Sequence, residues 1–140
     1  KNEITKPNKS LALVIRLMDE FIEKEQVDRH RIYVSGLSMG GMGTFEILYR
    51  RPNMFAAATP ICGYGSTKLV NLYADKVPIW IFHGSDDKVV SPKHSLEMIN
   101  AIIKSGGSPK MTLYENVGHD SWTNAFVEEN YLKWIHSKTK

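Results

Sequence analysis

Leu11, Ile15, Met18 and Ile22 recur at the spacing that gathers apolar side chains on one face of a helix. They predict an amphipathic helix from Ser10 to about Gln26, entered from a turn at Pro7. Arg31-Ile32-Tyr33-Val34-Ser35 is a short β-rich run closed by Gly36, which reads as a strand. A second helix fits from about Met39 to Tyr49 and must stop before Pro52, whose ring disfavours helical backbone in the residue ahead of it. Ala56 to Ile61 is a small-residue run that reads as a buried strand, ended by Gly63 and Gly65.

Val77 to Phe82 is the clearest strand, continuously apolar as a parallel strand covered on both faces should be. Ser91-Pro92 places a capping hydroxyl before a proline at the first helical position, and Leu96, Ile99 and Ile103 are expected to form that helix's buried face. Gly106-Gly107 ends it. Met111 to Tyr114 makes a further strand, and Phe126, Val127, Tyr131, Trp134 and Ile135 mark one last helix. Strand and helix alternate from about residue 10 onward, with no internal repeat and no low-complexity tract. That order implies a mostly parallel sheet between helical layers, an α/β architecture. In such sheets reactive groups collect in the loops beyond the carboxyl ends of the strands, here after Ser35, Phe82 and Tyr114.

Composition narrows the class. With 140 residues, 42% apolar and 24% charged, the chain is too rich in apolar residues for a disordered tail and suits a single domain spanning residues 1–140. Its longest apolar runs, such as Ile79 to Phe82, fall far short of the roughly 20 residues of a membrane span. The formal charge of +3 comes from scattered basic residues, the densest being Arg29-His30-Arg31 with Arg16 and Lys24 nearby. No basic stripe suited to nucleic acid emerges. The single cysteine, Cys62, excludes an internal disulfide and a Cys-rich zinc site, and leaves the compartment undecided. It reads as buried filler. No His, Asp and Glu set has metal-ligand spacing and no Walker-type phosphate loop is present, so neither metal nor cofactor is expected. The start, Lys1-Asn2-Glu3-Ile4, has no initiator Met and no signal-peptide pattern, and is expected to lie inside a longer gene product.

Three loops carry candidate chemistry. Gly36-Leu37-Ser38-Met39-Gly40-Gly41 fits a tight strand-to-helix turn that exposes and rigidly holds Ser38. The glycines two residues to either side are expected to let strand and helix pass without Cβ clashes. The same turn aims the Met39 N–H from a helix start, where the dipole favours an oxyanion. His83-Gly84-Ser85-Asp86-Asp87 ends the clearest strand, and at most one of its adjacent aspartates can reach a histidine; a turn-capping Asp is the competing reading. Gly118-His119-Asp120-Ser121-Trp122 follows the last strand. A lone loop histidine is usually a surface group, yet the order Ser, Asp, His is that of the α/β-hydrolase scheme. Trp122 either packs beneath this loop or lines an acyl pocket, and His83 is expected to hydrogen-bond backbone near the site.

These segments, with Arg31 to Phe45, Phe55 to Gly63, Pro78 to Val90 and Gly118 to Trp122, resemble the carboxyl-terminal part of an α/β-hydrolase. More narrowly, the chain is similar to bacterial esterases related to feruloyl and acetylxylan esterases and polyhydroxybutyrate depolymerases. The resemblance implies a three-layer sandwich with its N-terminal strands outside this chain, and a serine esterase without a cofactor, secreted or periplasmic. It implies Ser38 as nucleophile, Asp87 in preference to Asp86 as the orienting acid, His119 as general base and the Met39 N–H as half of an oxyanion hole. The other half would come from a loop before residue 1, often H-G-x-G. The Arg31–Ser35 strand should then be central, completed by a further N-terminal segment or a partner chain. The expected substrate is a small or polysaccharide-linked ester, with feruloyl or acetyl as the acyl group the resemblance implies. A prolyl-oligopeptidase-like peptidase and a non-catalytic hydrolase-like module are the competing functions.

Overall fold

Asn8 starts the first helix, its side-chain oxygen accepting from the Leu11 amide at 2.9 Å and so satisfying one of the N–H groups a helix end leaves unpaired. The computed structural model describes residues 4–140, and in it this helix, α1, runs Lys9–Lys24. After it come β1 (Tyr33–Leu37), α2 (Met39–Arg50), β2 (Ala57–Ile61), β3 (Trp80–Gly84), α3 (Pro92–Lys104), β4 (Lys110–Tyr114), α4 (Trp122–Phe126) and α5 (Tyr131–His136). A 3-10 turn at Val70–Leu72 lies on the connection from β2 to β3.

The strands form a four-stranded sheet in the order β1-β2-β3-β4, with every adjacent pair parallel. The alternation of side chains along each strand divides the core in two. Ala58, Ile79 and Ile81 face one way, against Phe45 and Leu48 of α2, Met98 and Ile102 of α3, and Leu11 and Ile15 of α1. Ile61, Trp80 and Phe82 face the other way, against Ala125 and Tyr131 of the last two helices. Each large apolar side chain fully withdrawn from water contributes about 1.5–3 kcal/mol, so these two clusters supply the main drive for layering. Thr59 of β2 and Tyr131 of α5 add a buried hydroxyl–hydroxyl hydrogen bond of 2.9 Å between the sheet and the second layer.

Three expectations change. The strand near residue 33 begins later than Arg31 and runs on to Leu37; it pairs with β2 alone among the described residues, in keeping with the expectation that its other neighbour lies outside this chain. Helix α3 buries Ser95, Met98 and Ile102, whereas Leu96 and Ile103 are 46% and 56% exposed. The two stripes lie one residue apart, and the chain turns inward the one that carries a hydroxyl. The final helix is two short ones, with Phe126 and Val127 exposed at the break. Strand β3, by running on to Gly84, carries His83 in register into the core.

Candidate active site

Ser38 sits between β1 and α2 with φ 53° and ψ −117°, a backbone state that costs a side-chain-bearing residue about 1–3 kcal/mol. Neighbouring contacts over-determine it. The Ser38 amide donates to the Ile61 carbonyl at 2.9 Å, and the Met42 amide donates to the Ser38 carbonyl at 3.0 Å. A Cβ at Gly36 would collide with the Gly40 carbonyl, and one at Gly41 with the Ile61 carbonyl. Gly40, by contrast, has open space where its Cβ would lie, so the close approach is made by Gly36 and Gly41 rather than by Gly36 and Gly40. Gly63 closes the same crossing, lying back to back with Gly41.

His119 and Asp87 reach Ser38 from two other loops. Ser38 Oγ is 2.9 Å from His119 Nε2, and His119 Nδ1 is 2.7 Å from Asp87 Oδ2. Asp87 is buried and His119 partly so. Burial pushes the Asp87 carboxyl upward, but hydrogen bonds from His119, Val90 and Val89 and the charge of His119 outweigh it and hold it below the usual carboxylate range. An ionised carboxylate only accepts, so in the neutral ring His119 carries its proton on Nδ1 and leaves Nε2 to accept from the Ser38 hydroxyl. Asp86 is exposed and takes no part, accepting instead from Ser85 Oγ at 3.0 Å.

Residues 2–134 match the Phospholipase/Carboxylesterase family. The chain belongs to that family. Among its relatives, it is 34% identical over 133 residues to acyl-protein thioesterase 1 homolog 2 of Dictyostelium discoideum, covering 91% of this chain and 57% of that protein. It is 33% identical over 86 residues to a bifunctional acetylxylan esterase/xylanase of Neocallimastix patriciarum, covering 59% of this chain and 12% of that one. The crystal structure of a thermostable esterase superposes with a TM-score of 0.91 at 33% identity, covering 96% of this chain and 38% of the esterase. The chain thus spans little more than half the length of the longest-covered of these, and far less of the others. The sheet and its helices accordingly have the α/β-hydrolase fold.

In this Phospholipase/Carboxylesterase chain the loops bearing Asp87 and His119 are zipped together. The Ser85 amide donates to the Tyr114 carbonyl and the Asp86 amide to the Val117 carbonyl, each at 2.9 Å, and the Asn116 amide donates to Ser85 Oγ at 2.9 Å. Gly84 has no room for a Cβ beneath the Val117 and Gly118 carbonyls. Trp122 stands edge-on to the His119 ring, with centroids 5.5 Å apart and planes at 87°, and packs against the cluster containing Cys62 and Ala125. Met39 is the first residue of α2, so its N–H has no acceptor within the helix, while its side chain is 81% exposed at the rim.

Cys62 lies behind this arrangement. It is wholly buried, with φ 40°, and its sulfur, an Asp87 carboxylate oxygen and a His119 ring nitrogen all fall within 4.8 Å of one another. Burial pushes the Cys62 thiol up, which disfavours the thiolate. The sequence points to Ser38 and His119 by loop and order, to Asp87 through the family resemblance, and to a backbone hydrogen bond of His83 near the site, but not to the contacts of His83 with Asp87 and Ser95. That ring is fully buried and bonds the Val90 backbone carbonyl, Asp87 and Ser95. The i to i+4 interval from His83 to Asp87 was the available signal.

Proposed function

We propose that this chain carries the reacting residues of a serine hydrolase of carboxylic esters, working through an acyl-enzyme. The observation that carries the reading is the unbroken run of hydrogen bonds from Ser38 Oγ through His119 to Asp87. Ser38 Oγ attacks the ester carbonyl carbon as its proton passes to His119 Nε2, and Asp87 stabilises the imidazolium that results. Collapse of the tetrahedral intermediate breaks the bond to the leaving alcohol, which takes the proton from His119. Water then attacks the acyl carbon, giving its proton to the same Nε2, and release of the acid returns the proton to Ser38. The Met39 N–H, at the positive end of α2, is the donor suited to the oxyanion. Trp122, edge-on to the imidazole, forms the wall on that side of the reacting centre.

For the substrate we infer feruloyl or acetyl esters of plant polysaccharide, a reading supported by the likeness to an acetylxylan esterase/xylanase. A second reading, an acyl thioester, is favoured by the likeness over 91% of the chain to an acyl-protein thioesterase homologue. A panel of methyl ferulate, acetylated xylan and a short acyl thioester separates them by relative kcat/KM. The polypeptide completing the domain is inferred to lie against β1, whose outer edge is open among the described residues. Helix α1 presents Leu13, Leu17 and Phe21 to solvent.

The direct test is Ser38→Ala in the full polypeptide that carries this chain, assayed on a p-nitrophenyl ester. Turnover should fall by several orders of magnitude with folding retained, leaving a small residual rate. Turnover equal to the unaltered protein removes the assignment.

A further inference from the structure

A single ring N–H is shared by two points of the loop after β3, the Asp87 carboxylate and the Val90 carbonyl. His83 stands next to last in β3 with its side chain wholly buried. Its Nε2 lies 2.9 Å from the Val90 carbonyl oxygen and 3.1 Å from Asp87 Oδ2, and its Nδ1 lies 2.7 Å from Ser95 Oγ. A carbonyl oxygen and an ionised carboxylate only accept, so the ring proton must sit on Nε2, shared between the two. In the neutral ring Nδ1 then accepts from the Ser95 hydroxyl, itself fully buried, whose only other acceptor nearby is the Gly63 carbonyl at 3.4 Å.

Asp87 is thereby held from all sides. Its Oδ1 accepts the Val89 and Val90 amides at 2.8 and 2.9 Å, and its Oδ2 accepts two imidazoles, His83 from the strand and His119 from the opposite loop. Remove the His83 donor and three restraints weaken together. Oδ2 loses a partner, the buried Val90 carbonyl is orphaned, and residues 87–90 keep as their tie to β3 only the long 3.4 Å bond from the Asp87 amide to the Gly84 carbonyl. A buried carboxylate left short of donors rotates or drifts toward whatever donor remains, and the 2.7 Å contact with His119 depends on its plane.

We propose that His83, anchored by Ser95, is a positioning residue that fixes the Asp87 carboxylate for its partnership with His119. This rests on the hydrolase reading of Ser38, Asp87 and His119. It explains why α3 turns Ser95 inward at the expense of Leu96. It also explains why β3 carries a histidine into an otherwise apolar strand core.

The test compares His83→Leu with His83→Gln in the full polypeptide, because the Gln side-chain amide nitrogen can occupy the place of Nε2 and donate to the same acceptors. His83→Leu should lower kcat about 10-fold or more, with KM within about twofold of the unaltered value. His83→Gln should restore most of kcat. A folded His83→Leu with unaltered kcat overturns the proposal, as does a folded His83→Gln no faster than His83→Leu. Should His83→Leu fail to fold, long-range nitrogen-15 correlation spectra of the unaltered protein decide instead: an Nε2–H tautomer at His83 supports the proposal and an Nδ1–H tautomer overturns it. Absence of ester turnover in the unaltered protein would defeat the hydrolase reading, and the positioning claim is then judged by the downfield proton of His119 Nδ1–H. That resonance should move in His83→Leu and return in His83→Gln; if it moves in neither, the proposal fails.

Discussion

Gly84 lies so close under Gly118 that a single methyl group on Gly84 would strike the Gly118 and Val117 carbonyls. The two glycines hold together the loops of Asp87 and His119, which are 32 residues apart in sequence and joined by a 2.7 Å hydrogen bond. The carbonyls of residues 117 and 118 cannot retreat freely, since the Val117 carbonyl is already bonded to the Asp86 amide. Gly84→Ala should therefore push the His119 loop outward, lowering kcat on p-nitrophenyl esters by about 100-fold and the stability by roughly 1–3 kcal/mol. Urea denaturation and steady-state kinetics measure the two effects, and an unaltered kcat with unaltered stability would show that the loops have slack.

Acid should unfold the protein partly through Asp87. Its carboxyl is held below the usual range in the folded state, so its contribution to stability is present above the unfolded value near about 4 and is lost as pH falls through the lower folded value. Urea midpoints measured from pH 6 down to pH 2 should fall less steeply for Asp87→Asn than for the unaltered protein. Equal slopes would mean that the hydrogen bonds from His119, Val89 and Val90 do not favour the ionised form.

Much of this arrangement is legible in the sequence, and the exceptions have physical causes. The β1–α2 turn and the order of strands and helices follow from periodicity and from glycines at fixed offsets, which are local signals, whereas the choice of Asp87 over Asp86 as partner of His119 comes from the family resemblance. The buried face of α3 is not legible by apolarity, because Ser95 is turned inward by a hydrogen bond to His83, a residue 12 positions away. The last helix is divided at residues 127–130, where the amides of Val127, Glu128 and Tyr131 bond carbonyls three residues back, a local tightening that the apolar pattern does not mark. The steric role assigned to Gly40 belongs to Gly41, because which glycine meets β2 depends on how α2 crosses the sheet. Where one element's demand is set by another's polar group, hydrophobic pattern alone misplaces it.

The open edge of β1 gives a further expectation. A strand whose outer N–H and C=O groups have no strand partner among the described residues, with Leu17 and Phe21 of α1 exposed about a hollow that Ile32 also lines, invites association. Residues 1–140 expressed alone should self-associate in size-exclusion chromatography with light scattering, and adjoining polypeptide from the same gene product should restore a monodisperse species. A monomeric, cooperatively folded 140-residue species would show that β1 needs no further partner.

The most direct measurement treats the full polypeptide with a fluorophosphonate probe and locates the adduct by peptide mass spectrometry. The phosphorus should be found on Ser38, at a rate that collapses in His119→Ala and Asp87→Ala. No adduct at Ser38 in the folded protein, or one formed at the same rate without His119, would contradict a serine made reactive by the imidazole beside it.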